Sequence, residues 1–278
     1  MIVGALYSFH DSMMYYHHTI DFHPRAENFP IHAHEMYEIF YFCAGAGSFL
    51  IEGSEYALEP GCVFLMRAGE SHHLKIQPDI PYERMVIHFH PRLIAPFDPQ
   101  GMLLAPFLEH PLGRCNYYSS EMLSDGFILG CMTKMVSVQT DYGRRLAIFT
   151  NLLAILQEVG RCFARMEKVE EDPCAVGQVR EIIEYINHNL SSKLSVSGLS
   201  SRFFISTSQL NRIFRQATGS SVWEYITIKR LLAARQAILE GQLATTVCGL
   251  CGFREYSTFY RAYKKRFGVS PQKDRPKE

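Results

Sequence analysis

His32, His34 and Glu38 form an H-x-H-x3-E pattern, and His72 closes a later stretch that runs Gly61-x5-Arg67-Ala68-Gly69-Glu70-Ser71-His72. Imidazole nitrogens and carboxylate oxygens are the donors that divalent transition metals take from proteins. On an extended chain alternate side chains share a face, so His32 and His34 point the same way and Glu38 returns to it. With His72 arriving from a facing strand, the set becomes a two-nitrogen-plus-oxygen or three-histidine-one-glutamate site. The same residues have a plainer use, as mutually satisfied polar groups that line a small-molecule pocket or hold strand ends together. The spacing leaves both open. His73, His88 and His90 lie close by; His88 and His90 alternate and share a face, but the sequence does not show which way that face turns.

The elements that must position these groups read as β. Between Phe29 and about His90, segments 39–43, 47–52, 54–58, 62–66, 73–76 and 83–89 are rich in aromatic and β-branched residues and are separated by turn chemistry. Glu52-Gly53-Ser54 reads as a hairpin turn. Upstream, residues 1 to about 28 read as irregular apart from a strand over 14–22. Short strands at this spacing predict a sandwich or small barrel rather than a parallel sheet. Five prolines between 91 and 120 predict an irregular connection with one short helix. Two helices follow, over 120–137 and 144–167. In the second, Leu146, Phe149, Leu153, Leu156, Val159 and Phe163 make an apolar stripe, with Arg144, Arg145, Asn151, Gln157, Arg161 and Arg165 opposite. The charged, Pro-broken stretch 169–177 reads as a linker between a domain over 1–168 and a second over 178–278.

Composition narrows the classes. A chain of 278 residues, 47% hydrophobic, suggests two domains of ordinary soluble type. Its zero net charge conceals a division: from Gln178 onward there are 16 Lys and Arg against 7 Asp and Glu, and the preceding part carries the opposite excess. That polarity points to nucleic acid at the C-terminal end only. The eight Cys lack framework spacing and read as buried hydrophobes of a reducing cytoplasm, and Cys248-x-x-Cys251 lacks the further ligands a zinc site needs. No secretory signal and no unbroken apolar run of spanning length is visible, which predicts a cytoplasmic chain.

The basic end repeats one local pattern. In the first copy Val196, Leu199 and Phe203 mark a short helix, Ser206 caps the next, Leu210, Ile213 and Phe214 point inward, and Gly219 closes it. In the second, Gly252 opens a turn, Phe259 and Tyr263 share the inner face of a helix, Gly268 ends it and Pro271 prevents continuation. Between the copies Val222, Ile226, Leu231, Ala234 and Ile238 stripe a helix of about 18 residues, roughly 27 Å long. Helix-turn-helix units on such a rod can enter successive major grooves, about 34 Å apart. A further helix, with Val179, Ile182, Ile183 and Ile186 inward, opens this domain.

Ser206 through Phe214, Thr218-Gly219, Lys229-Arg230-Leu231 with Ala234, Gly252-Phe253, Phe259, Tyr263-Lys264-Lys265-Arg266-Phe267-Gly268 and Pro271 resemble the DNA-binding domain of AraC-type transcription regulators. Cys248, Ser200 and Tyr263 depart from the pattern while keeping its side-chain sizes. The His32–Glu38 and Gly61–His72 stretches resemble the two halves of the cupin motif, with Arg67 in place of its usual Pro. AraC-type sensor domains are similar to this pattern as well, without acting as enzymes. The resemblance implies an α+β chain: a cupin-like β-barrel or sandwich, helices, a linker, and an all-α C-terminal domain with two helix-turn-helix units. It implies a sequence-specific, double-stranded-DNA-binding regulator that forms a homodimer and senses a small molecule, a sugar or related metabolite; helix 144–167 either packs on the barrel or supplies the dimer contact. The alternative is a metal-binding cupin enzyme fused to a DNA-targeting domain. On the regulator reading there is no catalytic residue and no required cofactor, and His32, His34, Glu38 and His72 hold the effector or a divalent transition metal. Ser208, Asn211, Arg212, Tyr256, Ser257, Tyr260 and Arg261 then face base edges, and Arg215, Lys264, Lys265 and Arg266 face phosphate.

Overall fold

The computed structural model describes residues 3–137, 140–166 and 177–276, so the expected linker over 169–177 falls outside the described residues except for Gly177. The N-terminal part is a sandwich of two antiparallel sheets. Its strands are Val3–His10 (β1), Met14–Asp21 (β2), Tyr37–Ala44 (β3), Gly47–Ile51 (β4), Ser54–Ala57 (β5), Val63–Met66 (β6), His72–Ile76 (β7) and Tyr82–Phe89 (β8). A one-turn helix, Ala105–Leu108 (α1), precedes the short strand Tyr117–Tyr118 (β9). One sheet runs β1-β2-β8-β3-β6-β9 and the other β5-β4-β7. β1 is a correction to the sequence reading, which left that segment irregular: it pairs along β2 as an edge strand with a register shift between Ala5 and Tyr7. Such a bulge hides the period-two pattern.

Strand β3 is buried on both faces, which explains its unbroken apolar run. Phe40 and Phe42 join Phe49, Phe64, Leu74 and Val86 between the sheets. Ile39 and Tyr41 turn outward into a second cluster with Val63, Leu65, Ile87 and two helices, Phe127–Lys134 (α2) and Asp141–Phe163 (α3). The helix expected over 120–137 is shorter because Gly126 is left-handed at φ 62° and starts α2 late. Upstream of it, the Ser124 backbone N–H donates to Glu158 Oε1 at 2.8 Å.

Helix α3 is also rotated from the expected stripe. Ile148, Leu152, Ile155, Leu156, Val159 and Cys162 are its buried apolar residues, at helical spacing, whereas Leu146 is 49% exposed. By length and composition α3 would suffice to cross a membrane, with a mean hydropathy of 1.3 over its most apolar window. This qualifies the expectation of no such segment. The apolar residues serve the sheet-facing core, and Arg145 on the same helix pairs with Asp11 of the sandwich at 3.3 Å.

The C-terminal part is helical: Gly177–His188 (α4), Val196–Arg202 (α5), Thr207–Thr218 (α6), Val222–Leu239 (α7), Ala244–Leu250 (α8), Tyr256–Phe267 (α9) and Pro271–Asp274 (α10). The caps follow the sequence. Ser206 accepts from the Gln209 N–H, Ser221 and Glu224 form a capping box, and Gly219 and Gly268 close α6 and α9 in the left-handed region. Helix α7 is the rod, and it serves both small cores: Val222, Tyr225 and Ile226 pack with α4–α6, and Leu231, Ala234 and Ile238 with α8 and α9. Between them the buried Arg230 donates to three carbonyls, Leu190 O (2.9 Å), Ser192 O (2.7 Å) and Gly252 O (2.8 Å). One guanidinium thus ties the turn before α5 to the turn before α9 and fixes the two helix-turn-helix units to the rod.

Among the described residues, two sets of polar contacts join the domains. Glu52, itself buried at the β4–β5 turn, accepts from Lys229 Nζ at 2.5 Å, from the Tyr225 hydroxyl and from the Ser71 N–H at 2.7 Å. Lys229 also reaches Gly69 O at 2.5 Å. At the other contact, Arg235 Nε lies 3.3 Å from Glu35 Oε1, and Arg266 Nη2 donates to Ala33 O at 2.8 Å.

Two stability changes follow. Gly252 is left-handed at φ 80°, and an added Cβ would stand 2.6 Å from Leu190 O and 2.7 Å from Arg230 Nη2. Gly252→Ala is therefore expected to cost about 2 kcal/mol or more in urea unfolding of the C-terminal domain. Lys229→Ala leaves Glu52 buried with fewer partners and is expected to cost about 3 kcal/mol; Lys229→Met with Glu52→Gln should recover part of it.

Candidate functional site

The four side chains singled out by spacing do converge, though not by strand alternation. Residues 31–36 are not a strand; His32 makes an isolated bridge with His72, exchanging backbone hydrogen bonds at 3.0 and 2.9 Å. That bridge lays the 32–38 segment across the end of β7. Glu38 then enters β3 on the inner face with Phe40 and Phe42, and its register partner on β8 is His88. His88 is the residue that the sequence could not orient. Its face follows from Val86, two residues earlier and inside the sandwich, but only once the β3–β8 register is known.

Glu38 Oε2 is the hub. His34 Nε2 lies 2.5 Å from it, His88 Nε2 3.0 Å and His72 Nε2 3.5 Å. His32 and His72 bring their Nε2 atoms to 3.1 Å of one another. Burial by itself would raise the Glu38 carboxyl, but the neighbouring His88 and hydrogen bonds from His34, His72 and His88 hold it well below the usual carboxylate range. Burial, reinforced by His72, pushes His32 down to about 3, and burial with Arg84 does the same to His17. His32, His17 and His88 are thus held toward their neutral forms beside one carboxylate. His32, Glu38, His72 and His88, with Asn28, Phe29, Phe49, Arg84 and His17, line a cavity of about 250 Å³, whereas His34 lines a separate pocket with Glu35, Arg235 and Arg266. Two triads, His32–Glu38–His72 and His34–Glu38–His88, have ligand atoms close enough to share an ion.

Arg67 lies outside this cavity. Its guanidinium sits 3.8 Å from Glu70, which is buried and takes the Arg67 and Gly113 N–H groups and Asn116 Nδ2. It anchors the loop that delivers His72.

On the C-terminal domain, Ser208, Arg212 and Arg215 of α6 and Ser257, Arg261, Lys264 and Lys265 of α9 are exposed. Among the described residues, Arg212 hydrogen-bonds to its helical neighbour Gln216 at 3.4 Å, and Arg261 to Ser257 O at 3.4 Å. The other expected readers are more engaged. Asn211 Nδ2 donates to Thr207 O at 3.0 Å, Tyr260 is half-buried, and Tyr256 rests on Phe259 with its hydroxyl accepting from Gln272. Arg266 is a correction: it is half-buried and bonded to Ala33 O of the sandwich, so in this arrangement it faces the other domain rather than phosphate. Its place in a basic run gave no hint of this. The Tyr263 hydroxyl, one of the departures from the resembled pattern, donates to Asp274 at 2.7 Å, and Asp274 in turn holds Arg235 at 2.7 Å. The Cys248–Cys251 pair has no further Cys, His or acidic group grouped with it among the described residues.

Comparison with known proteins agrees with this division. The AraC-like ligand binding domain matches residues 15–161, and a helix-turn-helix domain matches residues 199–277. The HTH-type transcriptional activator RhaS of Yersinia pestis bv. Antiqua (strain Angola) is 25% identical over 256 residues, covering 88% of each chain. RhaS of Yersinia pseudotuberculosis serotype O:1b (strain IP 31758) gives the same figures. Among solved structures, a probable AraC family transcriptional regulator from Rhodopseudomonas palustris CGA009 is 27% identical, over 36% of this chain and 99% of its own, with a TM-score of 0.33. With a sensor-type sandwich in front of a twofold helix-turn-helix domain, and more than half the chain matched by the first of these families, the protein belongs to the AraC-like transcription regulators.

Proposed function

We propose that the chain is a cytoplasmic, sequence-specific DNA-binding regulator whose sandwich takes up a small polar effector between His17, His32, Glu38, His72, His88 and Arg84. The observation that supports it most is the pairing of two capped, exposed, cationic helices, α6 and α9, on one rod by the buried Arg230. Each helix would lie in a major groove. Ser208, Asn211 and Arg212 of α6, and Ser257, Tyr260 and Arg261 of α9, then meet base edges, with Tyr256 adding a ring edge where α9 begins. Arg212 and Arg261 are suited to guanine, whose O6 and N7 accept a forked pair of hydrogen bonds. Arg215, Lys264 and Lys265 would neutralise phosphates and set register.

The carbohydrate class suits the effector cavity, because Asn28, Arg84 and Glu38 supply donors and acceptors while Phe29 and Phe49 offer ring faces. A homodimer is supported by the side of α3 that the sandwich leaves uncovered. Tyr142, Leu146 and Phe97 are exposed there, in a groove with Met14, Leu93 and Phe149. No catalytic role is assigned to the cluster. The enzyme reading would gain support only from turnover by the purified chain that His34→Ala abolishes.

Two substitutions test the DNA reading, using a duplex selected by the full chain from a random-sequence pool. Arg212→Ala is expected to lose about 1–3 kcal/mol on that duplex and to relax preference at one base pair. Uniform weakening on all sequences would contradict base reading by this residue. Lys265→Ala is expected to weaken all duplexes alike and to lower the slope of log affinity against log salt by about 1.

A further inference from the structure

Three side chains of different donor type meet on the outer face of the six-stranded sheet, on the side away from the cavity that His17, Glu38 and His88 line. His18 of β2 is the register partner of Met85 on β8, and Glu83, two residues before Met85, shares that face. Tyr16, Tyr41, Met85 and Ile87 make the face apolar, packed against α2 and α3. Helix α2 reaches as far as Tyr16, whose hydroxyl donates to Met132 O at 3.0 Å. Beyond that point the face opens. There His18, Cys43 and Glu83 stand half-buried, with their donor atoms all within 4.8 Å of one another.

Cys43 owes its position to a fault in the strand pairing. β3 and β8 keep register through Tyr41–Met85 and Phe42–Arg84, and then Ala44, not Cys43, takes Glu83. Cys43 is the extra residue of a bulge, and a bulge re-aims the side chain it carries. Burial and the nearby Glu83 carboxylate push its thiol up to about 12. A thiol held protonated in this way is a poor nucleophile and a poor target for oxidants. Packing alone would not call for an imidazole and a carboxylate beside it. A metal ion uses all three, since it takes the thiol as thiolate outright.

The donor set selects the ion. Thiolate sulfur with imidazole nitrogen and one carboxylate suits zinc, whereas calcium and magnesium take oxygen ligands. Bonds of about 2.3 Å to sulfur and about 2.0–2.2 Å to nitrogen and oxygen, at tetrahedral angles, set the donors roughly 3.3–3.6 Å apart. His18 Nε2 and Glu83 Oε1 lie 2.7 Å apart, so that pair opens slightly while the sulfur closes in, by ordinary side-chain torsions. What opposes the ion is the His18–Glu83 pair itself. With 16% and 28% of these side chains exposed, the pair contributes little and yields its shared hydrogen readily. We propose that His18, Cys43 and Glu83 bind a zinc ion on the outer face of the sandwich, with the fourth position left to water. The ion ties β2, β3 and β8 together across the bulge and so stabilises the folded sandwich. The site depends neither on the effector cavity nor on the DNA-binding reading.

The test uses the full chain, without a polyhistidine tag, stripped with EDTA under a phosphine reductant and titrated with cobalt(II), which zinc then displaces. A cobalt–thiolate bond gives an intense near-ultraviolet charge-transfer absorption that nitrogen and oxygen ligands do not give. Ions held elsewhere by His and Glu alone are therefore silent in it. One equivalent of cobalt(II) should produce the absorption, and zinc should remove it. Cys43→Ser should abolish it, and Cys248→Ser should leave it unchanged. His18→Ala and Glu83→Gln should each weaken cobalt(II) binding about tenfold or more, since even loss of a supporting group does as much. Zinc should also raise the thermal unfolding midpoint of the parent chain by more than that of Cys43→Ser. If Cys43→Ser fails to fold by circular dichroism, the more exposed Glu83→Gln decides in its place. Absence of the absorption in the parent chain, its persistence in Cys43→Ser, its loss in Cys248→Ser, or undiminished binding in folded Glu83→Gln overturns the site. Failure of zinc to displace cobalt(II) overturns the choice of ion.

Discussion

Segment 32–38 can move only if both domains accommodate it. Its backbone is pinned to β7 through the His32–His72 bridge and to α9 through Arg266, and its side chains divide between the two sides. On the inner side a buried carboxylate gathers imidazoles that are also hydrogen-bonded to backbone carbonyls; on the outer side a half-buried glutamate meets an arginine. The cluster and the surface that meets the C-terminal domain are thus carried by consecutive residues of one segment.

The second contact, at Glu52, is built on different terms. Glu52 sits at a hairpin turn and is non-glycine with φ 47°, a conformation that few side chains adopt at no cost. It is held there by the Ser71 N–H on its own domain and by Lys229 and Tyr225 on the other. This contact supplies register between the domains, while the Glu35–Arg235 pair, more exposed and longer, is the more easily released of the two.

The parts of the fold that were legible in the sequence are those fixed by local chemistry. Ser206, Ser221, Gly219 and Gly268 mark the ends of α6, α7 and α9 because caps and left-handed closures demand those residue types. The strands over 39–89 were legible through their turns and their aromatic and β-branched content. What escaped was non-local. β1 has an irregular register, the buried face of α3 is chosen by the sheet it meets, and His88 is turned toward Glu38 by strand pairing. Arg266 reads as one more cation in a basic helix until the sandwich is placed beside it. For the four site residues, spacing picked out side chains that converge, but by the wrong geometry, since a bridge and not a continuous strand brings His32 to His72.

Lys229 and Arg230 are adjacent on α7 and serve different masters: the lysine reaches into the sandwich, the arginine clasps the turns of both helix-turn-helix units. Neighbouring positions on a helix diverge by about 100°, so these two directions are separated by a fixed angle built into the backbone. Inserting or deleting a single residue upstream of them in α7 would swing both groups round the axis together and mate each with the wrong side. The rod is consequently intolerant of length changes, though its surface positions remain open to substitution. Chains that share this architecture should vary in the loops at its ends and keep the count of residues between those ends constant.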